Sequence, residues 1–304
     1  MIRGVFTVVL LSFILAGSPR VASCEPAPSD TLAAEKKEGK ADFIIHHIVD
    51  GDKIDFEPFG TVVLPKWKPI QIGSFQVDLS PTKHTVFLWF NTFLILLLAL
   101  TAASAYRKNS SGNFVPSAIG NLFEIMIEFI RDDIAKPMIG EHHYKKFLPF
   151  LLSAFLFVLI SNFMGLIPFG LSITGNINVT AALALVTFLT VHIYSGKSYW
   201  KHIFLPHVPL GLYPIMIPVE ILGMFTKPFA LAVRLFANMT GGHLVILTFI
   251  GLIFILESYY VALLSVPLAL FIYLLELLVC LIQAYVFTML SGVFIGMAVQ
   301  NEEH

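Results

Sequence analysis

Residues 261–299, "VALLSVPLALFIYLLELLVCLIQAYVFTMLSGVFIGMAV", decide the fold, because this tract contains a single charged side chain, Glu276. As one α-helix it would be about 58 Å long at ~1.5 Å per residue, against a hydrocarbon core of about 30 Å. An upright span would leave large overhangs at both ends. Immersion along its whole length would require a lean of roughly 60°, beyond the usual range of tilts. The alternative is two ordinary spans with a turn concealed at Pro267 or Gly292, but no cluster of polar turn residues marks one. The tract is therefore read as a single, strongly tilted helix. A second long apolar tract, 210–256, precedes it, and "ESYY" at 257–260 is the only polar break between them. The two are expected to form an antiparallel hairpin.

The rest of the chain agrees with a membrane setting. Hydrophobic residues make up 57% of its 304 positions and charged residues 13%. That balance defines a polytopic membrane protein whose surrounding partner is lipid. The net charge is −1 and the nineteen Lys and Arg are scattered. No concentrated basic face is available to bind nucleic acid. Cys24 and Cys280 are too few for a metal cluster, and no disulfide is expected.

Residues 1–23 read as a signal peptide. Arg3 precedes the apolar run "GVFTVVLLSFILAG", and the small residues Ala22 and Ser23 follow. The run is shorter than the ~20 residues of a spanning helix. "VASC" also loosely matches a lipoprotein cleavage box, with Cys24 as the lipidated residue, although Ser18, Pro19 and Arg20 separate it from the apolar core. Residues 24–85 form an exported, periplasmic segment: a polar linker, then a stretch alternating like short strands or extended loop.

Residues 86–106 are the first span. In 107–146, a cytoplasmic segment, Ile119, Leu122, Phe123, Met126, Ile127 and Ile130 recur at three and four and mark an amphipathic helix on the membrane surface or against a partner. A transmembrane hairpin follows over 147–195, then a cytoplasmic loop over 196–209, then the long tilted hairpin over 210–304. Arg107, Lys108, Arg131, Lys136, Lys145, Lys146, Lys197 and Lys201 fall in alternate loops, which places the mature N-terminus outside and the C-terminus in the cytoplasm. The expected fold is all-α, with about five transmembrane helices.

Within the last two helices lie Glu220, Lys227, Arg234, Asn238, His243, Glu276 and Gln283. Charge at membrane depth costs about 2.5–3.5 kcal/mol per residue on insertion scales, and such groups face a bundle interior or a water-filled path. Glu220, Lys227 and Arg234 are spaced by seven and Asn238 follows Arg234 by four, so they share one stripe. Glu276 and Gln283 are likewise seven apart. Reflection through the "ESYY" turn sets Arg234 level with Gln283, and His243 level with Glu276. His243 nevertheless lies about half a turn round from Arg234, so a bend or the glycines Gly241 and Gly242 would have to bring both toward the partner helix. Two plainer readings stand beside these: Lys227 snorkelling to the cytoplasmic surface, and Glu220 as an interfacial carboxylate. A loop over 227–242 would put Lys227 and Arg234 on the exported side, against the pattern of basic residues.

"KPFALAVRLFANMTGGHLV", followed by "LIQAYVFTMLSGVFIGMA" and a terminal "EEH", resembles subunit a of the F-type ATP synthase; "GLIP" at 165–168 and "NVT" at 178–180 are similar too. The likeness covers most of the chain from Val86 onward and is densest from 218 to 304. It implies a proton-conducting stator subunit in the bacterial inner membrane, not itself catalytic. Its implied partners are a ring of c subunits, peripheral-stalk b subunits and the rest of the complex. No cofactor or metal is implied. By resemblance Arg234 is the essential arginine, Asn238 the polar residue one turn later, Gln283 the glutamine and Glu220 a cytoplasmic-side glutamate. Many members carry a carboxylate where this chain has His243 and a histidine where it has Glu276, which suggests that the pair relays protons as a unit. The exported N-terminal segment is a further departure.

Arginine is not deprotonated in proteins, so Arg234 can act only electrostatically. It would favour release of a proton from a ring carboxylate and block direct hopping between two half-channels, leaving rotation as the permitted route. His243 and Glu276 would line the exported half-channel, Asn238 and Gln283 would pass protons toward the ring, and Glu220 would line the exit. The competing reading is a secondary ion or proton-coupled transporter, which would ordinarily carry inverted repeats. "GKS" at 196–198 lacks the glycine of a phosphate loop, where Val191 stands instead. His46 with His47, and His142 with His143, lack partners at metal-ligand spacing.

Overall fold

In the computed structural model, residues 82–108, 118–166, 172–195, 197–204, 213–256 and 258–300 are described, together with four short strands between 53 and 77. The strands pair as two antiparallel hairpins, β1 (Lys53–Phe56) with β2 (Gly60–Val63) and β3 (Ile70–Ile72) with β4 (Phe75–Val77). The all-α reading therefore holds for the helical body from residue 82, and the segment before it, expected to be exported, contributes the strands. The leader, Cys24, His46, His47 and the terminal "EEH" lie outside the described residues.

The helices in chain order are α1 (Lys83–Lys108), α2 (Ala118–Phe129), a π-helical stretch Ile130–Ala135 and α3 (Lys136–Ile139). They continue with α4 (Tyr144–Leu166), α5 (Ile177–Ile193), α6 (Lys197–Phe204), α7 (Tyr213–Leu256) and α8 (Tyr259–Gln300). Four of them, α1, α4, α7 and α8, are long and apolar enough to cross a membrane. The fifth apolar helix, α5, has 17 residues, at the short end of what spans a bilayer. Asn176 sets its start, accepting a hydrogen bond from the Asn178 amide at 2.9 Å. The loop expected at 196–209 contains a short helix, α6.

The last two helices have 44 and 42 residues and run unbroken through Pro218, Pro228 and Pro267. At ~1.5 Å per residue they reach about 66 and 63 Å, twice the hydrocarbon thickness. Gly292 also lies inside α8, so neither concealed turn exists.

The core is assembled around α4. Leu151 and Val158 of α4 pack with Phe287 and Ile295 of α8 and with Ile130, Ile134 and Ile139 from the π-helical stretch and α3. Phe123 of α2 is buried in this core, whereas Leu122, expected on the same apolar face, and Ile125 stay exposed. The exposed Asp132 carboxylate takes hydrogen bonds from Arg131 and, at 2.6 Å, from Lys136, and these two cations hold it well below the usual carboxylate range.

Apolar surface does not drive helices together inside lipid, so close packing and polar contacts must do so. Asn91 of α1 donates to Ser161 of α4 at 2.7 Å, and both are fully buried. Thr174 donates to Asn162 at 2.8 Å, and Tyr273 of α8 donates to the Leu166 carbonyl at 3.2 Å. Gly296 supplies the close packing, since a Cβ there would collide with the Met138 carbonyl of α3. Gly223 has nothing within 4 Å of the same position. Gly296→Val is therefore expected to destabilise the fold by roughly 1–3 kcal/mol, through forced separation of α3 and α8. Gly223→Ala is expected to be neutral or slightly stabilising. Thermal unfolding in detergent, followed by circular dichroism, separates the two, and equal melting temperatures would contradict the packing described.

Candidate functional site

Polar side chains converge where α7 and α8 cross. Asn238 Nδ2 donates to Gln283 Oε1 at 2.7 Å and so bridges the two long helices. Arg234, expected level with Gln283, stands one turn before Asn238 and leaves that hydrogen bond to it.

Arg234 is exposed, while its neighbours Leu231, Ala232 and Leu235 are buried. Among the described residues it makes no hydrogen bond, ion pair or ring contact. Its guanidinium thus projects from the outer face of the hairpin, away from its own protein. A permanent cation at that depth requires a partner or water from outside the chain.

Glu276 takes the opposite direction. It is 4% exposed, and its carboxyl group occupies the space that a Cβ on Gly242 would fill. The absence of a side chain at Gly242 is what admits the carboxyl group against α7, immediately beside His243. No bend of α7 is needed, because the helix is continuous through both glycines. His243 is partly buried and its ring reaches the Gly165 backbone at the end of α4. It does not hydrogen-bond to Glu276; the two share a level without touching through their polar atoms.

Around this level the buried atoms Thr240 Oγ1, His243 Nε2, Gln283 Nε2 and both carboxyl oxygens of Glu276 lack partners among the described residues. Leaving one such atom unsatisfied costs about 1–3 kcal/mol. Together they would cost roughly the whole stability of an ordinary domain, about 5–15 kcal/mol. Groups so placed can bind water. Thr240 escaped the sequence reading because a threonine in an apolar helix commonly bonds to its own backbone.

Glu220 lies fourteen residues before Arg234, about 21 Å along the helix at ~1.5 Å per residue. It is partly buried beside α6. Burial and then the Glu220 charge push the Tyr199 phenol of α6 upward from its ordinary value. The six expected residues therefore divide into three places: Glu220 near α6, Arg234 alone on the outer face, and Asn238, His243, Glu276 and Gln283 along the seam of the hairpin.

This arrangement defines a helical membrane protein with polar side chains buried along the seam of its longest helical hairpin. Residues 85–296 match the family described as ATP synthase A chain, and the chain belongs to that family. It is 50% identical over 264 residues to "ATP synthase subunit a" of Chloroherpeton thalassium, covering 86% of this chain and 77% of the relative. It is 47% identical over 291 residues to "ATP synthase subunit a 2" of Chlorobaculum tepidum, covering 94% and 80%. With "ATP synthase subunit a 2" of Prosthecochloris aestuarii it shares 45% identity over 316 aligned positions, covering 99% and 95%.

The Asn238–Gln283 hydrogen bond can be weighed by a double-mutant cycle. Asn238→Ala, Gln283→Ala and the double variant are expected to show a coupling of about 0.6–1.7 kcal/mol in detergent unfolding, the range of interhelical hydrogen bonds in membranes. Strict additivity would mean that the bond does not hold the helices.

Proposed function

We propose that the chain is the proton-conducting, non-catalytic stator subunit of the membrane sector of an F-type ATP synthase. Family membership supports the membrane-sector role. The observation that carries the finer reading is Arg234, a cation unpartnered among the described residues, exposed between two separated polar groups. On one side are His243 and Glu276, on the other Glu220.

In this reading a ring of c subunits turns past Arg234, each bringing a carboxylate. A proton enters through the half-path at His243 and Glu276, passes Asn238 and Gln283, and neutralises one ring carboxylate. A neutral carboxyl group can then leave the cation and cross lipid. After rotation it loses its proton toward Glu220, and the approaching carboxylate is held ionised by the guanidinium. Because Arg234 keeps its charge, a proton cannot short-circuit between the half-paths. Reversal of the same cycle pumps protons on ATP hydrolysis.

The basic residues support the orientation, with 107–146 and 196–209 facing the cytoplasm and the polar cluster at 240–283 nearer the exported side of the inner membrane. Peripheral-stalk b subunits would hold the chain against rotation, and no cofactor is needed.

Replacing the guanidinium is the decisive test. In inverted membrane vesicles, Arg234→Ala is expected to abolish both ATP-driven proton pumping, read by fluorescence quenching of a pH-sensitive dye, and ATP synthesis driven by a proton gradient. Normal coupled pumping by this variant would overturn the stator reading. Glu276→Gln, which keeps the shape but cannot carry a proton, is expected to slow pumping about tenfold or more.

A further inference from the structure

A cavity of about 20 Å³ lies between α5, α6, α7 and the end of α8, on the Glu220 side of Arg234. None of the residues assigned above lines it. Its walls are largely apolar, with Leu231, Phe294 and Met297 among them, but His192, Tyr199 and Lys227 also face it.

His192 is held in a defined state. Its Nδ1 lies 2.7 Å from the Phe188 carbonyl, which can only accept, so Nδ1 carries the hydrogen. Nε2 is left with a lone pair, and that atom is buried with no partner among the described residues. The ring is caged by Phe188 at 3.9 Å, Trp200 at 5.5 Å and Tyr199 at 5.8 Å between centroids. Aromatic faces favour a cation, and so they support the imidazolium as well as the neutral ring.

The other charged and titratable groups around it come from two elements. Lys227 of α7 opposes a second cation, although its ammonium is engaged over the Phe294 ring at 5.7 Å. Tyr199 of α6 is a neutral phenol under the influence of Glu220. The wall residues from α8, Phe294 and Met297, carry no charge, nor does Thr187 beside His192 on α5. A lone-pair acceptor in a cavity with a hydrogen-bonding phenol at its rim is a place for donor molecules, and water is the donor small enough to fit.

We propose that His192 takes up and releases the transported proton at Nε2, from water held in this cavity, as a relay on the Glu220 half of the path. The proposal rests on the proton-conducting reading above. A water-borne proton adds to the Nε2 lone pair and gives the imidazolium, while Nδ1–H stays on the Phe188 carbonyl. Release returns that proton from Nε2 to the cavity water, and no other bond is made or broken. Tyr199 stands between His192 and Glu220 and gives the relay its direction toward the exit.

The test uses the intact ATP synthase complex in proteoliposomes, with ATP-driven pumping and passive proton conduction measured from about pH 5 to 8, where an imidazole changes charge. His192→Gln keeps a polar side chain of similar reach but cannot carry a proton, and His192→Phe fills the site without an acceptor. Both are expected to flatten the pH profile, and His192→Phe to slow conduction about tenfold. If His192→Phe fails to assemble, His192→Gln decides alone. An unchanged pH profile in His192→Gln, whatever its rate, would overturn the proposal, since a merely structural histidine would alter rate or assembly and not the profile. Arg234→Ala is run beside it. A dead Arg234 variant with a wild-type profile in His192→Gln removes only the His192 relay, whereas an Arg234 variant that still pumps removes the stator reading itself.

Discussion

Hydrocarbon offers no hydrogen bonds, and the rest of the structure depends on that constraint. Each backbone amide within the bilayer must find its partner inside its own helix, so the apolar tracts of this chain are helices and cannot be loops. The two longest, at 44 and 42 residues, exceed the membrane thickness without a break because no polar cluster would tolerate a turn at that depth. Side chains obey the same rule. Asn91, Ser161, Asn162 and Thr174 are buried, and each hydrogen-bonds to a side chain on another helix or turn.

Against that background the exceptions mark the working part of the molecule. Thr240, His243, Glu276 and Gln283 place unsatisfied polar atoms along one seam, and Arg234 holds its charge on the outer face. A soluble protein would lose most of its stability to such a cluster. Under the proposed function the cost is offset, because the groups would bind water or protons and the arginine would meet a carboxylate from a neighbour. Gly242 is central to this arrangement: a missing side chain on α7 makes room for the carboxyl group of Glu276 on α8. The amide pair Asn238 and Gln283 then ties the same two helices one turn nearer to Arg234.

Much of this was legible beforehand. The long hairpin, the amphipathic helix near 119–130 and the short span near 179–194 follow from the spacing and length of apolar runs, which local chemistry controls. The six site residues were visible as polar groups in apolar helices, and reflection through "ESYY" brought His243 and Glu276 to one level. Other features left no such trace. Arg234 and Gln283 were expected at one level, but that Asn238, one turn on, hydrogen-bonds to Gln283 could not be read from the chain, because it depends on the relative offset of the two helices. His192 looked like any histidine near a helix end. Its locked tautomer and unpaired nitrogen appear only when Phe188, Tyr199 and Trp200 surround it. The helix α6 inside the expected loop is similar, being too short and too polar to announce itself.

The sequence by itself determined that this is a helical membrane protein, where its long helices run, and which side chains are too costly at depth to be without purpose. Those properties follow from hydropathy, helical spacing and the permanence of an arginine's charge, and each can be read along a single chain. Only the tertiary structure decided which of those side chains meet. Contact across helices depends on rotation about each axis, on relative offset and on small gaps such as Gly242 and Gly296, and these are set by packing among residues far apart in sequence.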